Sequence, residues 1–340
     1  MKQFEGFMRG VNFGGWFSQC NYSKDRFDNF IAEKDFKKAS DWGLDHVRIP
    51  IDYNLVEDEE GNYLDEGIAY IQNAVRLCKK YNLNMVLDVH KTAGYSFDFG
   101  ENEEGFFDSD KLQERFYRLW EMLAGHFGNN KNIAFELLNE VTDSKYSDKW
   151  NEISTECIKR IRKIAPDTYI LLGGYWNNSV EALKDLAMPY DDKVVYNFHC
   201  YEPLIFTHQG AYWVPDMPSD LRISYPDTVE NYKKAHQIIS KNTLSIYDFI
   251  KTPKADAAVF EELFAEAVRI AEERNVALYC GEYGVINLAD MDSTLRWYKD
   301  INSVFTKYNI GRCAWSFKEM DFGLDDEHMK PIIDEVVKYL

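Results

Sequence analysis

The sequence predicts an α/β fold, a (β/α)8 TIM barrel with a subdomain inserted after its sixth strand. Eight short apolar runs are spread along the 340 residues, and helix-like stretches separate most of them. The runs are nearly continuous in valine, isoleucine, leucine and phenylalanine, a pattern typical of parallel strands covered on both faces. They lie at residues 7–13, 45–51, 84–90, 133–139, 169–174, 194–201, 277–282 and 312–317.

The stretches between these runs have helical periodicity. Over residues 67–82 the apolar side chains form one stripe, and residues 30–43 show a similar pattern that stops at Gly43. Eight strand-helix units need about 250 residues, so this chain has room for insertions. A doubly wound open sheet is the alternative, but the glycine pair at 14–15 lacks the G-x-G-x-x-G spacing of a phosphate-binding loop.

The extra length is concentrated after the sixth run. Residues 202–255 contain five of the nine prolines and a series of aromatic residues that includes Tyr212 and Trp213. A connection this long is usually a functional lid or a small subdomain, and the helical pattern at 232–241 favours a subdomain. Because it follows the carboxyl end of a strand, we expect it to overhang the site face. We therefore predict one catalytic domain, residues 1–340, with a subdomain inserted at 202–255.

Composition narrows the choice of partners. The 57 acidic and 39 basic side chains give a formal charge of −18, which argues against nucleic acid or an anionic membrane as a partner. No run is long and apolar enough to span a bilayer, and no leader peptide is visible. The six cysteines form no C-x-x-C pair, so we expect free thiols in a reducing compartment. The resulting expectation is a cytoplasmic monomer, or a secreted protein if a leader has been removed.

The carboxyl ends of the eight strands should surround one pocket, because catalytic side chains project there in such a barrel. Two of these strand ends carry a glutamate, Glu140 directly after residues 133–139 and Glu282 at the end of residues 277–282. A carboxylate at the tip of a buried strand is unfavourable unless something pairs or uses it. Two of them on distant strands suggest an acid and a nucleophile that face one bond. The other strand ends offer Asn12, Arg48, His90, Asn139, Tyr175 or Trp176, His199, Tyr201 and Trp315.

This set of side chains suits a sugar. Charged groups, imidazoles and amides can bind a neutral substrate with many hydroxyl groups, and aromatic rings can pack on the apolar face of a pyranose. Taken singly, several of the residues also fit structural roles in an ion pair or in the core, as Arg48, His90, His199 and Trp315 do. Their joint occurrence at strand ends favours a binding and catalytic site.

Six motifs stand at these strand ends. They are VRIP (47–50), LDVH (87–90), LLNE (137–140), NFHCY (197–201), GEYG (281–284) and AWSF (314–317). In this order they resemble the strand-end signatures of glycoside hydrolase family 5, the cellulase family, over essentially the whole barrel. The phrases NFGGW (12–16) and YCGEYGVI (279–286) most resemble members whose barrel carries a subdomain after the sixth strand.

The resemblance assigns roles to the two glutamates. It implies a retaining endo-β-1,4-glucanase that hydrolyses soluble β-glucans or cello-oligosaccharides by double displacement, with Glu140 as acid/base and Glu282 as nucleophile. It implies no cofactor and no metal. The expected partner is a β-linked oligosaccharide or polysaccharide.

The resemblance also implies supporting roles around this pair. Arg48 and Tyr201 are expected to hold the nucleophile. Asn139 and His90 are expected to bind hydroxyl groups at the cleavage subsite, and His199 to line the site.

Aromatic residues should provide sugar-binding surfaces. The resemblance implies that Trp315 is the platform at the cleavage subsite. Further subsites are expected from aromatic residues just beyond strand ends or in the insertion, namely Trp16, Trp176, Tyr212 and Trp213.

Two positions depart from the family pattern. Many members have proline after the acid/base, where this chain has Val141, and close relatives have a second histidine where this chain has Lys91. These departures bear on substrate detail more than on the reaction.

Other functions fit parts of the pattern. A β-mannanase, a xyloglucanase or an exo-β-glucosidase could use the same machinery. A metal-dependent barrel hydrolase could use His90, His199 and the carboxylates, although the first strand lacks an H-x-H pair and a chelator would test it. A non-catalytic sugar-binding barrel is expected to have lost one carboxylate, and here both are present.

Overall fold

A closed barrel of eight parallel strands forms the centre of the protein, as the sequence predicts. The computed structural model describes residues 1–98, 101, 104–240 and 246–340. Each strand pairs with the next, and β8 pairs with β1 to close the barrel. The strands are β1 Arg9–Asn12, β2 His46–Asp52, β3 Asn84–Lys91, β4 Ile133–Glu136, β5 Ile170–Leu172, β6 Val194–His199, β7 Ala277–Tyr283 and β8 Gly311–Ala314.

Helices cover the outside of the barrel, and their amphipathic faces pack on the strands. The helical elements are α1 Lys24–Asn29, α2 Glu33–Asp41, α3 Asp65–Lys80, α4 Asp110–Phe127, α5 Ser147–Ile164, α6 Tyr175–Asn178, α7 Leu204–Thr207, α8 Val229–His236, α9 Ala257–Arg274, α10 Met291–Tyr308 and α11 Ile333–Val336. The two predicted helices are confirmed with shifted ends. The first begins at Glu33 rather than near residue 30, because Asp35 caps it by accepting a hydrogen bond from the Ala32 N–H at 2.8 Å.

Several strands are shorter than the apolar runs that predict them. The fourth run was expected to remain a strand to residue 139, but β4 ends at Glu136. Leu137 and Leu138 are buried in the core beyond that point, which explains why the apolar pattern continues. Since the regular alternation stops before Asn139 and Glu140, both of these side chains can face the same pocket.

The interior of the barrel is divided into layers by the alternation of strand residues. At its amino-terminal end the interior is apolar, and the stacked rings of Phe4 and Phe7, 4.3 Å apart, fill it beneath Val86 and Leu171. Two residues further along β3, β4 and β6 the inward side chains are charged or polar, namely Asp88, Glu136 and Asn197. The next layer forms the carboxyl-terminal face, where candidate site residues lie.

The insertion at 202–255 packs against the barrel through its described residues, while 241–245 lie outside them. The helix expected at 232–241 is observed as α8, which begins earlier and ends at His236. Tyr232 is buried and Tyr225 donates to Asp300 of α10 at 2.9 Å. That the insertion is a subdomain of a single catalytic domain stays a prediction.

Two expectations from composition can be compared with the fold. All six cysteines lie among the described residues, and all are free thiols, five of them buried, as predicted. Among the described helices, none combines the length and the apolar character needed to cross a bilayer.

Candidate active site

A buried arginine lies at the centre of the charged layer. Arg48 projects inward from β2 and is fully buried. Its Nε and Nη2 donate to the two oxygens of Glu136 at 2.7 and 2.9 Å, and Nη1 donates to Glu282 Oε1 at 2.7 Å. Asp88 Oδ2 lies 3.0 Å from Nη2. One guanidinium therefore joins carboxylates from β3, β4 and β7.

The carboxylates around Arg48 are more numerous than its single charge can neutralise. Burial raises the pKa of Asp88 and that of Glu136 to about 7 each, although Arg48 opposes the shift. Their proton affinity lets the cluster hold protons near neutral pH, so that negative charge does not accumulate in the barrel.

Amide side chains complete this network. Arg48 also donates to Asn12 Oδ1 at 2.9 Å and to Asn139 Oδ1 at 2.7 Å. Asn12 donates to the carbonyl of Gly281 at 2.9 Å, and Asn197 accepts from the Gly281 N–H at 2.9 Å. The backbone directly before Glu282 is thus fixed from β1 and from β6.

Glu282 and Glu140 face each other across a short gap. Arg48 holds one oxygen of Glu282, and Tyr201 donates to the other at 3.0 Å. His199 Nδ1 lies 2.7 Å from Glu140 Oε1 and 3.7 Å from Glu282 Oε2. One oxygen of each glutamate lies within 4.8 Å of the other. Inverting glycosidases need a carboxyl separation of about 6.5–9.5 Å, so this gap fits the shorter retaining arrangement.

Glu140 has a different environment from Glu282. It is nearly buried, and its two oxygens face His199 Nδ1 and the Asn177 amide, which donates to Oε2 at 2.7 Å. Burial raises the pKa of Glu140 to about 7, and the Asn177 hydrogen bond opposes the shift. Burial also lowers the pKa of His199, so this imidazole is neutral near pH 7. A carboxyl group with this proton affinity can give or take a proton at neutral pH.

Asn139 carries a buried donor that has no partner among the described residues. Its Oδ1 is used by Arg48, while its Nδ2 is buried and makes no hydrogen bond to any described residue. The Asn178 amide donates to the Asn139 carbonyl and fixes this segment. A buried donor without a partner is unfavourable unless a ligand supplies an acceptor, as a sugar hydroxyl would.

His90 and Trp315 lie side by side. His90 Nδ1 contacts Asp88 Oδ2 at 2.5 Å, and burial lowers the pKa of the ring. The His90 and Trp315 rings are parallel within 3° at a centroid distance of 5.9 Å. A Cβ added at Gly14 would lie 2.6 Å from the Trp315 ring, so only glycine at position 14 leaves room for the indole. These contacts hold the indole beside the histidine at the carboxyl-terminal face.

The aromatic residues predicted as further subsites fall into two groups. Trp176 is 54% exposed, Tyr212 is 88% exposed, and Trp213 packs on the cluster around Trp315. Trp16 does not fit the predicted role, because only 2% of it is exposed. The chain turns outward after β1, and the Trp16 ring stacks on Phe17 and donates from Nε1 to the Phe27 carbonyl at 2.9 Å.

The two positions that depart from the family pattern have structural partners. Lys91 is buried, and its Nζ contacts Asp98 at 2.6 Å and Glu101 at 2.7 Å. Val141 is buried in the core. Lys91 therefore ties the loop after β3 to the barrel.

Sequence reasoning missed several residues of the site. Asp88 and Glu136 were not singled out, yet Asp88 lies two residues before His90 and Glu136 four before Glu140. Strand alternation could have placed Asp88 on the inward face. The contacts of Asn177 and Asn178 depend on the backbone of α6, for which the sequence has no clear signal.

The metal-hydrolase alternative can be compared with this geometry. Glu140, His199 and Glu282 each offer a ligating atom within 4.8 Å of the others. His90, the other histidine of this alternative, is not part of that group and contacts Asp88. The atoms of Glu140 and His199 are joined to each other by a hydrogen bond, which fits proton transfer.

Comparison with known proteins finds a matching family model, similar sequences and a similar solved structure. The family model described as cellulase (glycosyl hydrolase family 5) matches residues 8–321. Cellodextrinase A of Ruminococcus flavefaciens is 50% identical over 313 residues, 92% of this chain and 86% of that protein. Endoglucanase C of Acetivibrio thermocellus is 39% identical over 345 residues, 98% of each. A solved structure of a glycoside hydrolase has a TM-score of 0.80 at 21% identity, covers 98% of this chain and 99% of its own, and supports the fold.

The Arg48 network should be essential to stability. Arg48→Met leaves the buried carboxylates of Asp88, Glu136 and Glu282 without their cation, so the free energy of unfolding should fall by about 3–5 kcal/mol near pH 7. The carboxyl pKa values of the folded variant should lie further above the unfolded value of about 4, so this deficit should widen as pH rises from about 4 through 7. Urea denaturation at several pH values measures both effects.

Arg160→Met is the matched control, since Arg160 pairs with Glu114, Glu121 and Glu156 at the surface. It should change stability by at most about 1 kcal/mol. Equal losses in the two variants, or a deficit independent of pH, would contradict this account of the network.

Proposed function

The chain belongs to the cellulase family, glycosyl hydrolase family 5, and on that premise we propose that it is a retaining endo-β-1,4-glucanase of soluble β-glucans or cello-oligosaccharides. One observation carries the proposal. One oxygen of Glu140 and one of Glu282 lie within 4.8 Å of each other. Arg48 and Tyr201 donate to Glu282, whereas the neutral His199 ring and the Asn177 amide contact Glu140. Two carboxyl groups in unlike environments are what double displacement requires.

In the first step Glu282 attacks the anomeric carbon as Glu140 protonates the departing oxygen. The Arg48 and Tyr201 hydrogen bonds hold the two oxygens of Glu282 and orient its carboxylate. The raised pKa of Glu140 keeps a proton available for the leaving group. The C–O bond to the leaving sugar breaks, and a bond between the anomeric carbon and Glu282 forms.

In the second step water replaces the enzyme at the anomeric carbon. Glu140, now ionised, takes a proton from the water, whose oxygen attacks while the bond to Glu282 breaks. Two inversions give net retention of configuration, and both glutamates return to their starting states. The neutral His199 ring next to Glu140 keeps that side of the site free of a competing positive charge.

The unpartnered Asn139 Nδ2 is the proposed donor to the sugar 2-hydroxyl at the cleavage subsite. A hydrogen bond to this hydroxyl strengthens as the oxocarbenium-like transition state forms and contributes several kcal/mol in general. Arg48 fixes the other end of the amide, so the donor is oriented before substrate binds.

The substrate is a β-linked saccharide, and the relatives favour a short soluble glucan. Cellodextrinase A and endoglucanase C are both similar over nearly the whole chain. A monomeric state stays a prediction. We propose a cytoplasmic location because the six free thiols suit a reducing compartment.

Azide rescue should separate the roles of the two glutamates. Glu140→Ala should lower turnover of cello-oligosaccharides by about 10²–10⁴-fold, because the leaving sugar needs a proton. An aryl β-cellobioside with a good leaving group should still form the glycosyl-enzyme, and added azide should release a β-glycosyl azide. Product stereochemistry by NMR is the measurement.

Glu282→Ala should remove the covalent step, so azide rescue should instead give the α-glycosyl azide by direct attack. The reverse pairing of variants and anomers would mean that the roles are exchanged. Rescue of neither variant would argue against double displacement.

The aromatic pair of the insertion, exposed Tyr212 and half-buried Trp213, should bind sugars that flank the cleavage point. Tyr212→Ala combined with Trp213→Ala should lower kcat/KM on long cello-oligosaccharides by up to about tenfold, since ring stacking of this kind contributes roughly 0.5–1.5 kcal/mol. Short activated aryl glycosides, which do not reach the flanking subsites, should be affected less.

Phe249→Ala removes another exposed ring from the same insertion and serves as the matched control. It should not distinguish long substrates from short ones. Equal losses on both substrates in the double variant would count against a subsite at Tyr212 and Trp213.

A further inference from the structure

The element α6, which follows β5, has an unusual backbone. Trp176, Asn177 and Asn178 are consecutive and have φ values of 52°, 57° and 56°. Residues other than glycine rarely adopt this left-handed conformation, and asparagine is among those that tolerate it best. Three in succession are unfavourable unless contacts made by the turn compensate.

The contacts of this turn converge on the segment that carries Glu140. The Asn177 N–H donates to the Val141 carbonyl at 3.0 Å, and the Asn177 side-chain amide donates to Glu140 Oε2 at 2.7 Å. Asn178 donates to the Asn139 carbonyl. The turn therefore fixes residues 139–141 and contacts Glu140 at Oε2, while Asn178 also lies 3.4 Å from His199 Nε2.

We propose that Asn177 is a positioning residue that adjusts the proton affinity of Glu140 through the hydrogen bond to Oε2. The inference rests on the proposed role of Glu140 as acid/base. That role requires Glu140 to be protonated in the first step and ionised in the second, so its two states must be close in free energy.

Burial and the amide act in opposite directions on this balance. Burial favours the protonated form of Glu140, whereas an N–H donor at Oε2 favours the carboxylate. Removal of the amide should therefore strengthen proton binding. The other titratable or charged groups that face Glu140 come from β2, β3, β6, β7 and the segments after β3 and β6. They are Arg48, Asp88, His199, Tyr201, Glu282, Tyr95 and Asp98.

The position of Asn177 also determines what it can influence. The proposed acid/base, Glu140, protonates the leaving oxygen, so Asn177, which contacts Glu140, should lie on the side of the departing sugar. Asn177 and Trp176 are both exposed there. Substrates with a poor leaving group, which depend on proton transfer, should therefore respond most to a change at Asn177.

The test is the pH dependence of kcat/KM on a cello-oligosaccharide for the wild type and Asn177→Gly. Glycine removes the amide and accepts the left-handed backbone, so the turn should survive. The alkaline limb of the kcat/KM profile should shift to higher pH by about one unit, which corresponds to a tenfold increase in the proton affinity of Glu140. A role confined to structure would lower the rate at every pH without moving the limb.

Asn275→Gly is the matched control. Asn275 ends α9 with φ of 52° and is exposed at the opposite end of the barrel, so this variant makes the same change remote from the site. Its pH profile should match that of the wild type. An unmoved limb in Asn177→Gly would overturn the proposal, and a downward shift would too, since it would mean that the amide oxygen faces Glu140 and accepts its proton.

A further variant separates failure of this inference from failure of the proposed function. Glu140→Gln, assayed on an aryl glycoside with a good leaving group, should show no alkaline limb if that limb belongs to Glu140. Persistence of the limb in this variant would refute the acid/base role itself. Its loss, combined with an unmoved limb in Asn177→Gly, would refute only the role of Asn177.

Discussion

The burial of one guanidinium inside the barrel is the constraint on which the site depends. Charged groups are unfavourable in a low-dielectric interior unless each has a partner in good geometry. Arg48 meets this condition only when the strands of the closed barrel bring its partners together. Those partners are Asn12 from β1, Asp88 from β3, Glu136 from β4, Asn139 from the segment after β4, and Glu282 from β7. The position of the proposed nucleophile is therefore a consequence of barrel closure.

The same layer of charge gives the two glutamates unlike environments. Glu282 accepts hydrogen bonds from the Arg48 guanidinium and from the Tyr201 hydroxyl. Glu140 has the neutral His199 ring and the Asn177 amide as partners, and burial raises its pKa to about 7. Two residues of one type thus acquire different chemistry from their neighbours.

The sequence predicts the barrel and the two glutamates because both depend on local pattern. Continuous apolar runs mark strands, and the residue that ends a run is readily recognised. The sequence does not single out Asp88 and Glu136, because they lie inside apolar runs. Their burial is tolerable only beside Arg48, and that contact depends on the closed barrel. Trp16 was placed at the site from its distance to a strand end, but the direction of the chain after β1 takes it into the core. The hydrogen bond from Asn177 to Glu140 depends on the tertiary contacts of a left-handed turn, which composition does not reveal.

The central claim is that Glu282 becomes covalently attached to the sugar, and a trapped intermediate tests it most directly. An aryl 2-deoxy-2-fluoro-β-cellobioside with a good leaving group should label the enzyme, because the fluorine slows release of the sugar more than its attachment. Mass spectrometry of the digested protein should place one fluorocellobiosyl group on Glu282. A label on Glu140, or hydrolysis with inversion and no label, would contradict the account.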